Sequence, residues 1–476
     1  MKRIKTGIFG LDDMIGGGLP EGGVYALCGD TGTGKTTFGI QFLMEGLKNG
    51  EKCLYITFEK RGDRLKDLFK YSFGWDLEKY EKKGLMKMYE SPVLSSEKMV
   101  SAFILPVFES DFMPSRIVID PISAPSVEIS QKHFRNQMQE LFRAIYQINA
   151  TTLLTSEMQY GIDPEHVVRF LCSGSFVLHH SRMGDKKQRM FEVLKIEGVD
   201  AYPHLVPFRI TDRGMEVYPL PKYTNDWAAS GERISTGVKG IDDMMNGGVF
   251  RGDVTLVAGS TGTGKTLMGM QFIMEGAKKG EKGLIVSLEE TRELLLRNAE
   301  YLGYDLKKME GAGMVRIMTP CAIDMIPEEY LRKMESELDG VKRVVIDSLS
   351  SYHDVFESKS AYKDHLVIMP SMFKNRNITS ILISEMPQLF GAFQITNSGT
   401  SFVVDNVILL RYVEVESEIQ KAISIIKMRG SHHDRDIKRM DITKKGIVIE
   451  SKFEGIEGLM GGGATTVAKR IEGFFK

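Results

Sequence analysis

At 476 residues the chain is long enough for two or three domains, each able to bury a core without disulfides or metal. Its 62 lysines and arginines against 63 aspartates and glutamates leave a net charge of −1, so no overall field draws it to nucleic acid or an anionic membrane. Four scattered cysteines, Cys28, Cys53, Cys172 and Cys321, form no C-x-x-C pair and read as buried small apolar residues of a reducing compartment. The 28 methionines read as core filler. With no signal-peptide apolar region and no bilayer-length apolar run, a soluble cytoplasmic protein with no membrane partner is expected.

In chain order, the apolar run Val24–Cys28 reads as a strand, followed by Gly29-Asp-Thr-Gly-Thr-Gly-Lys35-Thr36 and a helix from about Lys35. That loop fits G-x-x-x-x-G-K-[ST], the phosphate-cradling P-loop, in its required strand–loop–helix setting. Leu54–Phe58 reads as the next strand, with a helix starting near Arg61. Ile117–Ile119 precedes a helix within Lys132–Ile148, and Thr152–Leu154 follows it. The segment Pro219–Gly231 is rich in prolines and small polar residues and suits an extended linker.

The whole pattern then repeats. Gly259-Ser-Thr-Gly-Thr-Gly-Lys265-Thr266 copies the first loop at an offset of 230 residues. Thr6-Gly-Ile-Phe-Gly-Leu-Asp-Asp-Met matches Thr236-Gly-Val-Lys-Gly-Ile-Asp-Asp-Met, and Gln41-Phe-Leu-Met-Glu-Gly matches Gln271-Phe-Ile-Met-Glu-Gly. Thr255–Val257, Leu284–Leu288, Val344–Ile346 and Ser380–Ile383 repeat the strands, and Phe402–Leu410 and Ala422–Met428 read as additional ones. So long a period is a duplicated domain rather than a solenoid repeat. Short apolar runs alternating with helices predict two α/β domains, each a mostly parallel sheet flanked by helices. The expected boundaries are 1–220, a linker over 221–233, 234–450, and a glycine-dense flexible tail over 451–476.

The chemistry expected of each copy is nucleotide binding. Glycines let backbone N–H groups converge on phosphate oxygens, above a helix N-terminus. The candidates are Gly29, Thr31, Gly32, Thr33, Gly34, Lys35, Thr36 and Thr37 in the first copy. Gly259, Thr261, Gly262, Thr263, Gly264, Lys265, Thr266 and Leu267 match them in the second. Lys35 and Lys265 should reach the β- and γ-phosphates, so ATP is the expected ligand. Thr36 and Thr266, with Asp120 and Asp347 closing apolar strands, should hold Mg²⁺. Glu289 and Glu290 follow the next strand, where a carboxylate can orient or deprotonate an attacking water or hydroxyl. Glu59 has the same place in the first copy, beside Lys60. It either shares that role or merely starts a helix favourably.

Several stretches carry a family resemblance: Glu289-Glu-Thr-Arg-Glu-Leu-Leu-Leu-Arg-Asn-Ala, Ile346-Asp-Ser-Leu-Ser350, Phe390-Gly-Ala-Phe-Gln-Ile-Thr396, Ile408-Leu-Leu-Arg-Tyr-Val-Glu414 and, most specifically, Lys427-Met-Arg-Gly-Ser-His-His-Asp434. With these, both copies resemble the KaiC family of RecA-like ATPases. The resemblance implies a hexameric ring with ATP at subunit interfaces. It also implies that Lys427 and Arg429 reach a neighbouring subunit's γ-phosphate in the manner of an arginine finger. The corresponding first-copy run is Leu194-Lys195-Ile196-Glu197: Lys195 keeps a nucleotide-binding place, but an acid replaces the arginine. With Lys60, this predicts that the first tier mainly holds ATP and the second hydrolyses it.

The family's clock members phosphorylate themselves on a Ser-Thr pair. Ser401 matches the serine, while Phe402 replaces the threonine and cannot accept phosphate. The candidate acceptors are Ser401, Thr400 and Thr396, without a two-site cycle. Ser156-Glu157 and Ser384-Glu385 end strands as either γ-phosphate sensors or plain polar termini. His179-His180 and His432-His433 read as neighbours on strands that face opposite sides, so neither pair is expected to hold a metal. The expected function is a ring ATPase with serine/threonine autokinase activity, acting as a switch for a protein partner. The alternatives are a nucleotide-gated scaffold with incidental turnover, or a DNA-handling relative. The latter would need basic or aromatic loops, which are not evident here.

Overall fold

The computed structural model describes residues 2–58, 61–90, 112–122, 131–157, 171–183, 186–200, 202–221, 226–321, 325–356, 358–386, 403–415, 417–453, 456–457 and 465–466. Glu59, Lys60, Thr396, Thr400, Ser401 and most of the expected tail lie outside the described residues. The chain divides into two compact units, Met1–Pro219 and Leu220–Lys476.

Each unit is built on one nine-stranded sheet in the same spatial order. In the first, the order is Met86–Glu90, Cys53–Thr57, Arg116–Asp120, Thr151–Glu157, Val24–Gly29, Gly174–Met183, Lys186–Ile196, Val206–Thr211 and Gly214–Val217. The pairings are parallel from Met86–Glu90 to Gly174–Met183 and antiparallel beyond. In the second, Val315–Met318, Lys282–Ser287, Val341–Asp347, Thr379–Glu385, Val254–Gly259, Asn406–Val415, Glu418–Met428, Lys438–Thr443 and Gly446–Lys452 repeat that order. The strand that leads into the P-loop therefore lies mid-sheet in both units.

Alternation along the strands divides each core between two faces. Tyr25, Leu27, Tyr55 and Val118 pack on one side of the first sheet with Phe38 and Phe42 of the Lys35–Lys48 helix. Ala26, Leu54, Ile56 and Ile119 pack on the other with Leu141 and Ile145 of the Gln131–Ile148 helix. The second unit does the same with the Lys265–Lys278 and Lys359–Asn375 helices.

Three sequence readings need correction. Cys28, Cys53 and Cys172 are buried, but Cys321 is exposed. The edge strand of the second sheet runs on to Lys452, and Phe453 packs against Val413, Val415 and Ala422, so ordered structure passes residue 450. His432 and His433 lie in a loop rather than on a strand, whereas His179 is on a strand and bonds Glu192 at 2.7 Å.

Candidate functional site

Both P-loops turn between a buried strand and a helix through a left-handed glycine, Gly34 at φ 109° and Gly264 at φ 104°. Thr33 Oγ1 donates to Asp30 O at 2.7 Å, and Thr263 Oγ1 to Ser260 O at 2.8 Å, fixing the loop's curl. The loop lysines are buried and fold over their own loops. Lys35 Nζ donates to Gly29 O at 2.8 Å and Asp30 O at 3.0 Å, and Lys265 Nζ to Ser260 O at 2.9 Å. Burial lowers the Lys265 pKa, against the pull of Glu385, Asp347 and Glu289.

The strand-closing aspartates meet the loop threonines in both units. Thr36 Oγ1 donates to Asp120 Oδ2 at 2.8 Å, and Thr266 Oγ1 to Asp347 Oδ2 at 2.6 Å. A hydroxyl beside a carboxylate is an oxygen donor set that suits a hard divalent cation, so these residues fit Mg²⁺. Their surroundings differ, however. Asp120 also accepts from Tyr55 OH at 2.6 Å and from Thr155 Oγ1. By strand register, Ile285 and Ile383 replace Tyr55 and Thr155 beside Asp347. Burial, aided by Glu289 and Glu290, pushes the Asp347 carboxyl up to about 6.

Glu289 and Glu290 lie just past the Lys282–Ser287 strand. Glu289 Oε1 accepts from Ser348 Oγ and, at 3.0 Å, from Ser351 Oγ. Glu290 is half-buried and accepts from Asn298 Nδ2 at 3.3 Å; burial first, then Glu289, raises its pKa. With Gly264, Lys265, Thr266 and Leu267, both glutamates line a cavity of about 600 Å³ that also takes in Arg297, Asn298, Tyr301 and Glu385. Glu385 and Glu157 are thus beside the P-loop lysines: Glu157 lies 3.8 Å from Lys35 and accepts from Thr31 Oγ1 at 3.2 Å.

The structure does not bring Lys195, Lys427 or Arg429 to the P-loop of their own unit. Lys427 pairs with Val407, which pairs with Leu256, about 10 Å down the strand from Gly259. Lys195 pairs with Ser175 at the matching level. Arg429 falls in the turn after the Glu418–Met428 strand, so strand alternation does not set its direction relative to Lys427. Burial, with Arg429 nearby, lowers the Lys427 pKa.

Sequence reading missed Tyr55, Thr155, Ser348, Ser351, Arg297, Asn298 and Tyr301. Asn298 and Tyr301 lay within an Arg292–Tyr301 helix whose spacing could have shown one face turned to the loop. Nothing in the chain order ties Tyr55 or Thr155 to Asp120.

A protein-family profile described as the KaiC ATPase matches residues 4–222 and again 234–454. Over 495 residues the chain is 32% identical to the circadian clock protein KaiC3 of Synechocystis sp., covering 100% of this chain and 98% of that protein. It is 32% identical over 482 residues to the circadian clock oscillator protein KaiC of Synechococcus elongatus, covering 98% and 92%. The same identity holds over 486 residues with the KaiC of Thermostichus vulcanus, covering 98% and 93%. Two P-loops in matching folds, with similarity along the full length, identify an ATP-binding protein, and the chain belongs to the KaiC family of ATPases.

Proposed function

We propose that the chain is an ATP-driven switch, working in the cytoplasm as a ring of its own copies, that holds ATP in both units and hydrolyses it mainly in the second. The observation that carries this reading is the second unit's cavity, where Lys265, Thr266, Glu289 and Glu290 face the same space. Lys265 meets the phosphates there, and Thr266 with Asp347 would hold Mg²⁺. That ion supplies charge neutralisation of the phosphates. Glu289, oriented by Ser348 and Ser351, directs the attacking oxygen and takes its proton. With water as the acceptor the outcome is hydrolysis; with the hydroxyl of Ser401, Thr400 or Thr396 it is autophosphorylation.

Lys427 and Arg429 stand too far from their own loop to serve it, which supports their action on the nucleotide of a neighbouring copy, six copies closing the ring. The scaffold reading fits the first unit. Asp120 is already satisfied by three hydroxyls, and Glu197 stands where Arg429 stands in the second unit.

The test is incubation of the full chain with γ-phosphate-labelled Mg-ATP, following both released and protein-bound label. The Glu289→Gln/Glu290→Gln variant should release phosphate at least about 100-fold more slowly. Release at the wild-type rate would overturn the assignment to the second unit. Absence of protein-bound label in the wild type would remove the autokinase and leave the ATPase switch.

A further inference from the structure

The two units share one fold, so each side chain has a counterpart, and one cluster changes as a set. In the second unit Asp405 is only 7% exposed. Its carboxylate accepts from Lys374 Nζ at 2.9 Å and from Val254 N at 2.9 Å, and lies 3.7 Å from Arg429 Nη1. The Asp405 carbonyl accepts from Arg429 N at 3.1 Å, and the Val404 carbonyl accepts from Lys427 Nζ at 2.7 Å. One dipeptide thus grips both cations.

Register gives the counterparts in the first unit. Tyr25 pairs with Gly174 as Thr255 pairs with Asn406, so Ser173 stands for Asp405. The Ser173 carbonyl accepts from Glu197 N at 2.8 Å, placing Glu197 where Arg429 is. Asn149 and Asn377, both with positive φ, follow the matching helices, so Tyr146 stands for Lys374. Where the arginine is absent, the Lys374–Asp405 pair is replaced by an uncharged one, with Tyr146 OH 3.3 Å from Ser173 Oγ.

We infer that Asp405, backed by Lys374, is a positioning residue that holds Arg429 for the nucleotide of a second copy of this chain; the inference rests on the trans role proposed above. The charges explain why two partners are needed. Asp405 alone would fix Arg429 but cancel its charge. Lys374 balances the carboxylate, so Arg429 and Lys427 together still present positive charge to a phosphate. In the first unit Lys195 and Glu197 cancel, and the cluster has nothing to orient. A guanidinium placed beforehand needs no reorganisation when charge develops.

The experiment compares full-length Arg429→Ala, Asp405→Asn and the double variant Lys374→Tyr/Asp405→Ser, which installs the pair the first unit already packs. Steady-state ATPase, melting temperature and oligomer size are measured on each. Asp405→Asn and the double variant should each lose about tenfold in kcat with KM for ATP and oligomer size unchanged; Asp405→Asn, which leaves Lys374 unbalanced, should melt lower, and the double variant should not. Mixing Asp405→Asn with Lys265→Ala subunits should restore turnover, because the Lys265→Ala copy lends an ordered Arg429 to its neighbour. Wild-type turnover by Arg429→Ala would remove the trans role itself. A slow Arg429→Ala beside wild-type rates in the Asp405 variants would overturn the positioning role alone. A mixture no faster than its separate parts would count against the trans role as well.

Discussion

Asp120 and Asp347 occupy the same place in two copies of one fold, yet their neighbours differ. Three hydroxyls satisfy Asp120, while Asp347 meets Thr266 amid Ile285 and Ile383. A buried carboxylate with few donors costs folding free energy unless a cation balances it. Because the Asp347 pKa is raised to about 6, the folded state binds more protons than the unfolded one between the ordinary carboxylate range and 6. Stability in metal-free protein should therefore fall as pH rises through that window. Asp347→Asn should be more stable than the wild type by about 2 kcal/mol at pH 7, and the gap should close below about pH 4. Urea unfolding of both proteins with chelator at the two pH values checks this, and the variant should also lose ATPase activity. The aspartates were legible in sequence because each closes an apolar run behind a P-loop, at matching places in the two copies. The hydroxyls on Asp120 were not, because strand pairing alone brings Tyr55 and Thr155 to it.

The element that aims each site is the helix after the P-loop. Gly264 enters that helix at φ 104°, a conformation that costs an L-residue about 1–2 kcal/mol, and an added Cβ would sit 3.0 Å from Ile442 Cδ1. Gly264→Ala should lower unfolding stability by that order and weaken ATP binding, as read by denaturant titration and by a fluorescent ATP analogue. Unchanged ATP affinity would show that the loop amides do not depend on this turn. Further along the helix, a Cβ on Gly269 would meet Val345 Cγ1 at 2.7 Å, so only glycine lets the helix lie this close to the sheet. The parallel strands were readable because they are buried on both faces and form continuous apolar runs. The antiparallel direction of the Glu418–Met428 strand was not, since alternation reports which faces are buried and not which way a neighbour runs.

For the molecule as a whole, duplication followed by divergence predicts two sites with separate duties. Lys265→Ala should abolish most phosphate release while the oligomer still forms with ATP. Lys35→Ala should weaken ATP-dependent assembly, yet each assembled copy should keep near-wild-type release. Light scattering with and without ATP, alongside phosphate release, separates the two effects; equal loss of release in both variants would refute the division of duties. The sequence by itself determined the duplication, the class of fold, the P-loops and their aspartates, because each is encoded within a few adjacent residues. It also named the substituted positions Phe402 and Glu197. Only the tertiary structure decided that three hydroxyls reach Asp120 while Asp347 meets Thr266 amid isoleucines, that Lys427 and Arg429 stand away from their own loop, and that the Val404–Asp405 dipeptide holds both. Those relations join residues far apart in the chain, through strand order and register that no local pattern specifies.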